Sequence, residues 1–215
     1  MIILLFGATG AAGGAVLRGC LASNDVTEVR AVTRRPLKIT DPKLKVVLHD
    51  DYLDFTKIAD AFAGVDACLY CLGVSSTQVS GAEYAKISHD MPLAAARMLH
   101  AKSPKALFHY ITGAGTNEQG RMQWSKVKGR TERELIEQFG GVNWRPAIIG
   151  GDKSDHGPKA YQLARPLFRL FKPFRSMFID GPDLGRAMLQ ATKEGMRGRN
   201  IDQKEIHTIV DRATV

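Results

Sequence analysis

The opening stretch of this sequence, MIILLFGATGAAGG, constrains the fold more than any other. Ile2 to Phe6 is a continuous apolar run of strand length, the pattern of a parallel strand buried on both faces and therefore central in its sheet. Gly7, Gly10 and Gly13 follow at a spacing that suits three jobs: a tight turn, close approach of backbone to a pyrophosphate, and packing of a helix on the strand. A helix is expected from Ala11 to Leu21, with its free N–H groups and positive dipole end facing an anion. Glycines at this spacing also serve plain turns, but their place between a buried strand and an amphipathic helix favours dinucleotide binding. Gly7, Ala8, Thr9, Gly10, Ala11, Ala12 and Gly13 are the expected phosphate cradle.

At 215 residues, 44% of them hydrophobic, the chain can bury a sizeable core. The expected fold class is α/β, a Rossmann-like doubly wound parallel sheet with a small C-terminal substrate lobe. One domain is expected over residues 1–215, with a lid at about 152–182 inside it. No charged leader precedes an apolar segment, and no apolar run approaches the roughly 18 residues of a membrane span. Three cysteines, an odd number, suggest no disulfide framework, and a cytoplasmic protein is expected. Cys68 and Cys71 read as C-x-x-C but lie in a strand, where residues three apart face opposite ways, so no metal site is expected.

The second strand, Val29 to Thr33, ends in Arg34 and Arg35. In a dinucleotide fold that strand end lies beside the adenosine ribose, where an acid would bind the 2′-hydroxyl and an arginine a 2′-phosphate. Two arginines and no acid point to NADP(H). After a short third strand at Val46 to Leu48, Asp51 and Tyr52 fall where the adenine is expected. A fourth strand, Ala67 to Leu72, carries Cys71 and Leu72 and is followed by Gly73, whose small size lets the loop run close under the cofactor.

A helix is expected from Ala82 to Ala101, kinked at Pro92, and then a fifth strand from Ala106 to Ile111. It opens into Thr112 at the carboxyl edge of the sheet, where open α/β folds bind ligands. The next helix, Trp124 to Phe139, carries Lys128. A sixth strand, Val142 to Ile149, is interrupted by Arg145 and Pro146. From Lys153 to Arg175 six basic residues stand against Asp155 alone, interleaved with aromatic residues. This stretch reads as a basic lid over the crevice, with a site for a membrane surface or an acidic protein partner as the other reading. A helix over Asp183 to Glu194 and a strand and turn over Asn200 to Val210 close the chain. No nucleic-acid module accompanies the net charge of +8, and a monomer or a homodimer suits the helices equally.

The GATGAAG turn, Arg34-Arg35, Asp51-Tyr52, Cys71 to Gly73, Thr112, Lys128-Gly129 and Arg145-Pro146 followed by Gly150 together resemble the atypical short-chain dehydrogenase/reductases. The likeness is nearest to small NmrA-like and Tat-interacting-protein-like oxidoreductases, over residues 1 to 150 and more loosely from Asp183 to Ile206. It implies bound NADP(H) and a small-molecule substrate under the C-terminal lobe. It also implies a Ser or Thr at the end of the fifth strand, matched by Thr112, and a Tyr four residues before a Lys, matched at the Lys by Lys128. Arg145 and Pro146 join the cofactor-binding set on the same ground.

The expected Tyr is Trp124, whose indole N–H donates but does not titrate and so cannot exchange a proton with substrate. Tyr84, Tyr110, Tyr161 and His156 are the candidate replacements. Two readings follow: an NADP(H)-dependent oxidoreductase or epimerase-like enzyme with altered proton transfer, or a catalytically silent NADP(H)-binding regulator that engages a partner through its basic lid.

Overall fold

Strand β1, Ile2–Phe6, is buried on both faces and pairs in parallel with β2 (Glu28–Thr33) and β4 (Ala67–Tyr70). The computed structural model of the protein describes residues 1–150 and 175–213. Adding β3 (Leu44–Leu48), β5 (Leu107–Ile111), β6 (Val142–Arg145) and β9 (Arg199–Asp202) completes a parallel sheet in the order β3-β2-β1-β4-β5-β6-β9. This is the doubly wound sheet expected from the sequence. A separate parallel pair joins β7 (Ile148–Gly150) to β8 (Phe178–Asp180). Most of the expected lid lies at residues 151–174, outside the described residues.

Alternation along β1 divides the core. Ile3 and Leu5 face helices α1 (Ala11–Ala22), α5 (Gly181–Lys193) and α6 (Gln203–Arg212), whereas Leu4 and Phe6 face an aromatic cluster with Phe55, Phe62, Tyr70 and Phe108. Cys71 packs with the first core and Cys68 with the second, as strand residues three apart must. Between β5 and β6, His109 accepts the Trp144 indole N–H at 3.0 Å through Nδ1. Its Nε2 lies 3.0 Å from the Thr192 hydroxyl on α5. A ring that accepts at Nδ1 must carry its proton on Nε2, so His109 is a neutral link through the core.

Three local expectations need correction. The helix expected from Ala82 to Ala101 is divided into α2 (Gly81–Ala85), a wider π-type turn at Lys86–Asp90, and α3 (Met91–Lys102) with Pro92 in its first turn. Pro92 has no N–H to give the carbonyl four residues back. That carbonyl, of Ser88, instead accepts the Tyr110 hydroxyl at 2.7 Å and the Thr131 hydroxyl at 2.9 Å. The sixth strand stops at Arg145, because a prolyl residue cannot donate to a ladder, and Ile148 begins the second small sheet. The segment expected as a terminal strand and turn is β9 followed by α6. Asp202 caps α6 by accepting the Glu205 N–H, and Ile206, Ile209 and Val210 fill its inner face.

Candidate functional site

The carboxyl ends of the parallel strands β1, β2, β4 and β5 lie along one edge of the sheet, and the glycine turn follows β1 there. Gly7 has φ +82°, a conformation that favours glycine, and its carbonyl accepts the Gly10 N–H at 2.9 Å. A Cβ on Gly7 would stand 2.7 Å from the backbone of Cys71 and Leu72, and one on Gly13 only 2.1 Å from the Gly7 oxygen. Strand, turn and helix therefore touch backbone to backbone. Gly10 is the N-cap of α1 and offers no side chain to the helix end, whose first turn also holds no acidic residue. The amides of Ala11, Ala12 and Gly13 are left without intrahelical acceptors. Such a helix start, stripped of side chains and of negative charge, fits the pyrophosphate of a dinucleotide. Ala8 is buried beneath the turn and Thr9 is exposed at its crest.

At the end of β2 the Thr33 hydroxyl donates to the Arg35 carbonyl at 2.6 Å, closing a turn that leaves Arg34 and Arg35 exposed. Tyr52 is buried edge-on to Phe6, with ring centroids 6.0 Å apart. Burial pushes its phenol up, and the Arg34 guanidinium opposes that shift. Asp51 is exposed and its carboxylate accepts the Leu53 N–H at 3.0 Å. Beyond β4, a Cβ on Gly73 would meet nothing within 4 Å, so the loop borders open space beside the turn.

On the β5 side, Lys128 of α4 (Gln123–Phe139) donates from Nζ to the Thr112 carbonyl at 2.6 Å. Loss of hydration lowers this ammonium to about 8, while the Glu132 carboxylate acts in the opposite direction. The Thr112 hydroxyl is buried, 2.6 Å from Glu132 Oε1 and 3.0 Å from the Trp144 carbonyl. Its only proton is thus used inside the protein. Trp124, one turn before Lys128, is partly exposed, and its indole N–H points at the Met122 sulfur 3.0 Å away.

Arg145 grips Glu132 at two points, 3.0 Å and 2.5 Å, and the Pro146 carbonyl accepts the Ala114 N–H at 2.8 Å. Both residues therefore brace the loop after β5, and none of these bonds reaches the glycine turn. A cavity of about 500 Å³ lies there, lined by Thr116, Glu118, Glu132, Arg133, Arg145 and Asn200 among others; it includes no residue of the turn.

Sequence reasoning missed Glu132, the residue that ties Thr112, Arg145 and Lys128 together. The signal was available: Glu132 is four residues after Lys128, on the same helical face. Of the replacement proton donors, Tyr110 and Tyr84 are buried, Tyr110 with its hydroxyl committed to Ser88 and burial holding its phenol well up. Tyr161 and His156 lie outside the described residues. Among the described residues, no cluster of His, Cys, Asp or Glu could hold a metal, and no helix is long and apolar enough to cross a membrane.

Residues 7–132 match the NAD(P)H-binding protein family. Among similar proteins are those named Protein FMP52, mitochondrial. The one from Eremothecium gossypii is 25% identical over 73% of this chain and 70% of its own length. The one from Kluyveromyces lactis is 30% identical over 63% and 61%, and that from Chaetomium globosum 27% identical over 91% and 88%. Their names overturn the cytoplasmic expectation, which rested on composition. A cysteine count is too coarse to name a compartment.

Among solved structures, dTDP-glucose 4,6-dehydratase from Streptomyces venezuelae, determined with NAD bound, superimposes with a TM-score of 0.69 at 14% identity, covering 100% of this chain and 82% of that one. The short-chain dehydrogenase/reductase YIR035C from Saccharomyces cerevisiae gives 0.69 at 12% identity over 98% of both chains. The chain belongs to the NAD(P)H-binding family, on the fold of the short-chain dehydrogenase/reductases.

Proposed function

We propose that this protein is an NADP(H)-dependent oxidoreductase or epimerase-like enzyme of the atypical short-chain class, with proton transfer altered because Trp124 stands in place of the expected tyrosine. The observation that carries the reading is Lys128: its ammonium is fixed at the carboxyl edge of β5 by the Thr112 carbonyl, 2.6 Å away. Its position suits the nicotinamide ribose, while the α1 amides hold the pyrophosphate and Arg34 and Arg35 the 2′-phosphate. Bound there, the reduced cofactor supplies a hydride. Thr112 acts through its carbonyl, which orients Lys128, because its hydroxyl serves Glu132. Trp124 shields the edge of the site and exchanges no proton.

The same Trp124 motivates a second reading, in which the protein holds NADP(H) without turning it over and signals its presence to a partner. Both readings stand on cofactor binding, and calorimetry tests that first. NADPH should bind more tightly than NADH. Arg34→Glu should weaken NADPH by about tenfold or more, the scale of one charge-assisted hydrogen bond, and leave NADH nearly unchanged. Equal affinities in the native protein would sink the 2′-phosphate assignment, and absence of binding by either dinucleotide would sink both readings. Turnover of NADPH by any acceptor then rules out the silent regulator.

A further inference from the structure

The cavity of about 500 Å³ beside α4 falls within the size range of small-molecule sites, and neither the glycine turn nor Thr112 nor Lys128 lines it. Its walls are fixed. The loop at Asn117 and Glu118 lies directly on the helix, where a Cβ on Gly129 would stand 2.2 Å from the Glu118 nitrogen. Ser125 accepts the Asn117 N–H at 2.8 Å, and Arg133 grips Glu118 at 3.0 Å and 3.3 Å. From the sheet come Arg145, at the end of β6, and Asn200 on β9.

The hydrogen bonds of the lining residues are unevenly met. Each lining carboxylate already accepts from a guanidinium: Glu118 and Glu137 from Arg133, and Glu132 from Arg145. Both lining amides are set in orientation by what they accept. The Asn117 oxygen takes the Gln119 backbone N–H at 2.9 Å, and the Asn200 oxygen takes an Asn143 side-chain N–H at 2.9 Å. Only oxygen accepts, so the NH2 group of each amide is left over. Among the described residues neither NH2 group has a partner, and neither has Nη1 of Arg145, whose Nε and Nη2 hold Glu132.

From this arrangement we propose that the cavity is a binding site for a small monocarboxylate, held by Arg145, Asn117 and Asn200 with its apolar part against Ile136. A carboxylate offers several acceptor positions to such donors, and hydrogen bonds to a charged acceptor are the strong ones. The rest of the lining limits the ligand to a single negative charge. Glu118, Glu132 and Glu137 outnumber Arg133 and Arg145, so the second charge of a phosphate would meet repulsion that a monocarboxylate escapes. No residue of the dinucleotide cradle takes part, and the proposal stands apart from the NADP(H) reading.

Calorimetric titration of the full chain with benzoate, without dinucleotide, tests it. Saturable binding is expected. Asn200→Asp and Asn117→Asp each keep the oxygen that the native amide uses, which protects the fold, and each replaces a donor by a negative charge. Either substitution should weaken benzoate by about tenfold or more while the urea midpoint stays near that of the parent. Benzamide, of the same shape without the charge, should bind at least about tenfold more weakly than benzoate, and phosphate should not displace benzoate. Absence of saturable benzoate binding to the folded protein would overturn the proposal. So would an affinity untouched by both substitutions, which would lodge benzoate elsewhere, or benzamide binding as tightly as benzoate, which would remove the carboxylate assignment.

Discussion

Glu132 Oε1 lies 2.6 Å from the Thr112 hydroxyl, although one residue sits in the middle of α4 and the other past the end of β5. The carboxylate is 2% exposed and also holds Arg145, at the end of β6, through both its oxygens. Three elements that converge on the crevice are thus tied to one buried anion. Lys128, a helical turn away, takes its position from the backbone that Glu132 steadies.

Arg145→Met is accordingly expected to destabilise the protein by about 3–5 kcal/mol, because it takes from a buried carboxylate the guanidinium that holds both its oxygens. Adding Glu132→Gln should recover much of that loss, since an amide costs less to bury than an unpaired charge. Urea unfolding of the two single variants and the double variant measures the coupling. Additive losses would show that the pair does not act as a unit.

Gly13→Ala places a methyl group where the Gly7 carbonyl oxygen already stands, 2.1 Å from the new carbon. The helix must move off the strand, at a cost of about 1–3 kcal/mol for overpacking. It also carries the phosphate-binding amides away from the turn. A fall in melting temperature together with a loss of NADPH affinity is the expected result. Gly73→Ala is the control: its methyl group meets open space, and stability should stay near that of the parent.

His109 makes stability depend on pH. Burial lowers its pKa from 6.5 to about 3, and Arg197 shifts it the same way. Between these values the unfolded chain binds a proton that the folded one refuses, so stability rises with pH across this window and is lost on acidification. The slope approaches about 1.4 kcal/mol per pH unit from this one group. His109→Leu gives up the acceptor for Trp144 and should be less stable at pH 7, with a shallower decline between pH 6 and pH 4. Urea midpoints at several pH values check both statements. An unchanged slope would mean that other groups dominate the acid response.

The parts of the molecule legible in its sequence are those governed by local rules. The apolar run of β1, the glycines after it and the arginines after β2 have meanings set by their nearest neighbours in the chain, and the sheet order follows from parallel crossovers. Helix α6 was legible too, in the Asp202 to Glu205 spacing of a capping box, yet its short length and the preceding strand hid it. Glu132 and Arg145 were not readable as partners, since they sit thirteen residues apart on a helix and a strand and meet only through packing. The same holds for Thr112, whose place at the strand end was evident but whose hydroxyl direction depends on Glu132 lying behind it. Pro92 announced a broken helix. Its consequence, a Ser88 carbonyl shared by Tyr110 and Thr131, needed the fold.

Lys128 exposes a tension between stability and function. Its pKa falls from 10.5 to about 8 because the folded protein strips water from the ammonium. Between these values the unfolded chain keeps a proton that the folded chain releases. Stability therefore rises as pH goes from 8 towards 10.5, and below 8 the folded protein carries the full cost of the partly dehydrated charge. Lys128→Met should then be at least as stable as the parent at pH 7, once the lost bond to the Thr112 carbonyl is offset, and should lose the alkaline rise. If Lys128 holds the nicotinamide ribose, the same substitution should weaken NADPH by about tenfold, the scale of a charge-assisted hydrogen bond. Calorimetry and urea unfolding on one preparation separate the outcomes: weaker binding with intact stability assigns Lys128 to the ligand, whereas lost stability with unchanged binding assigns it to the loop after β5.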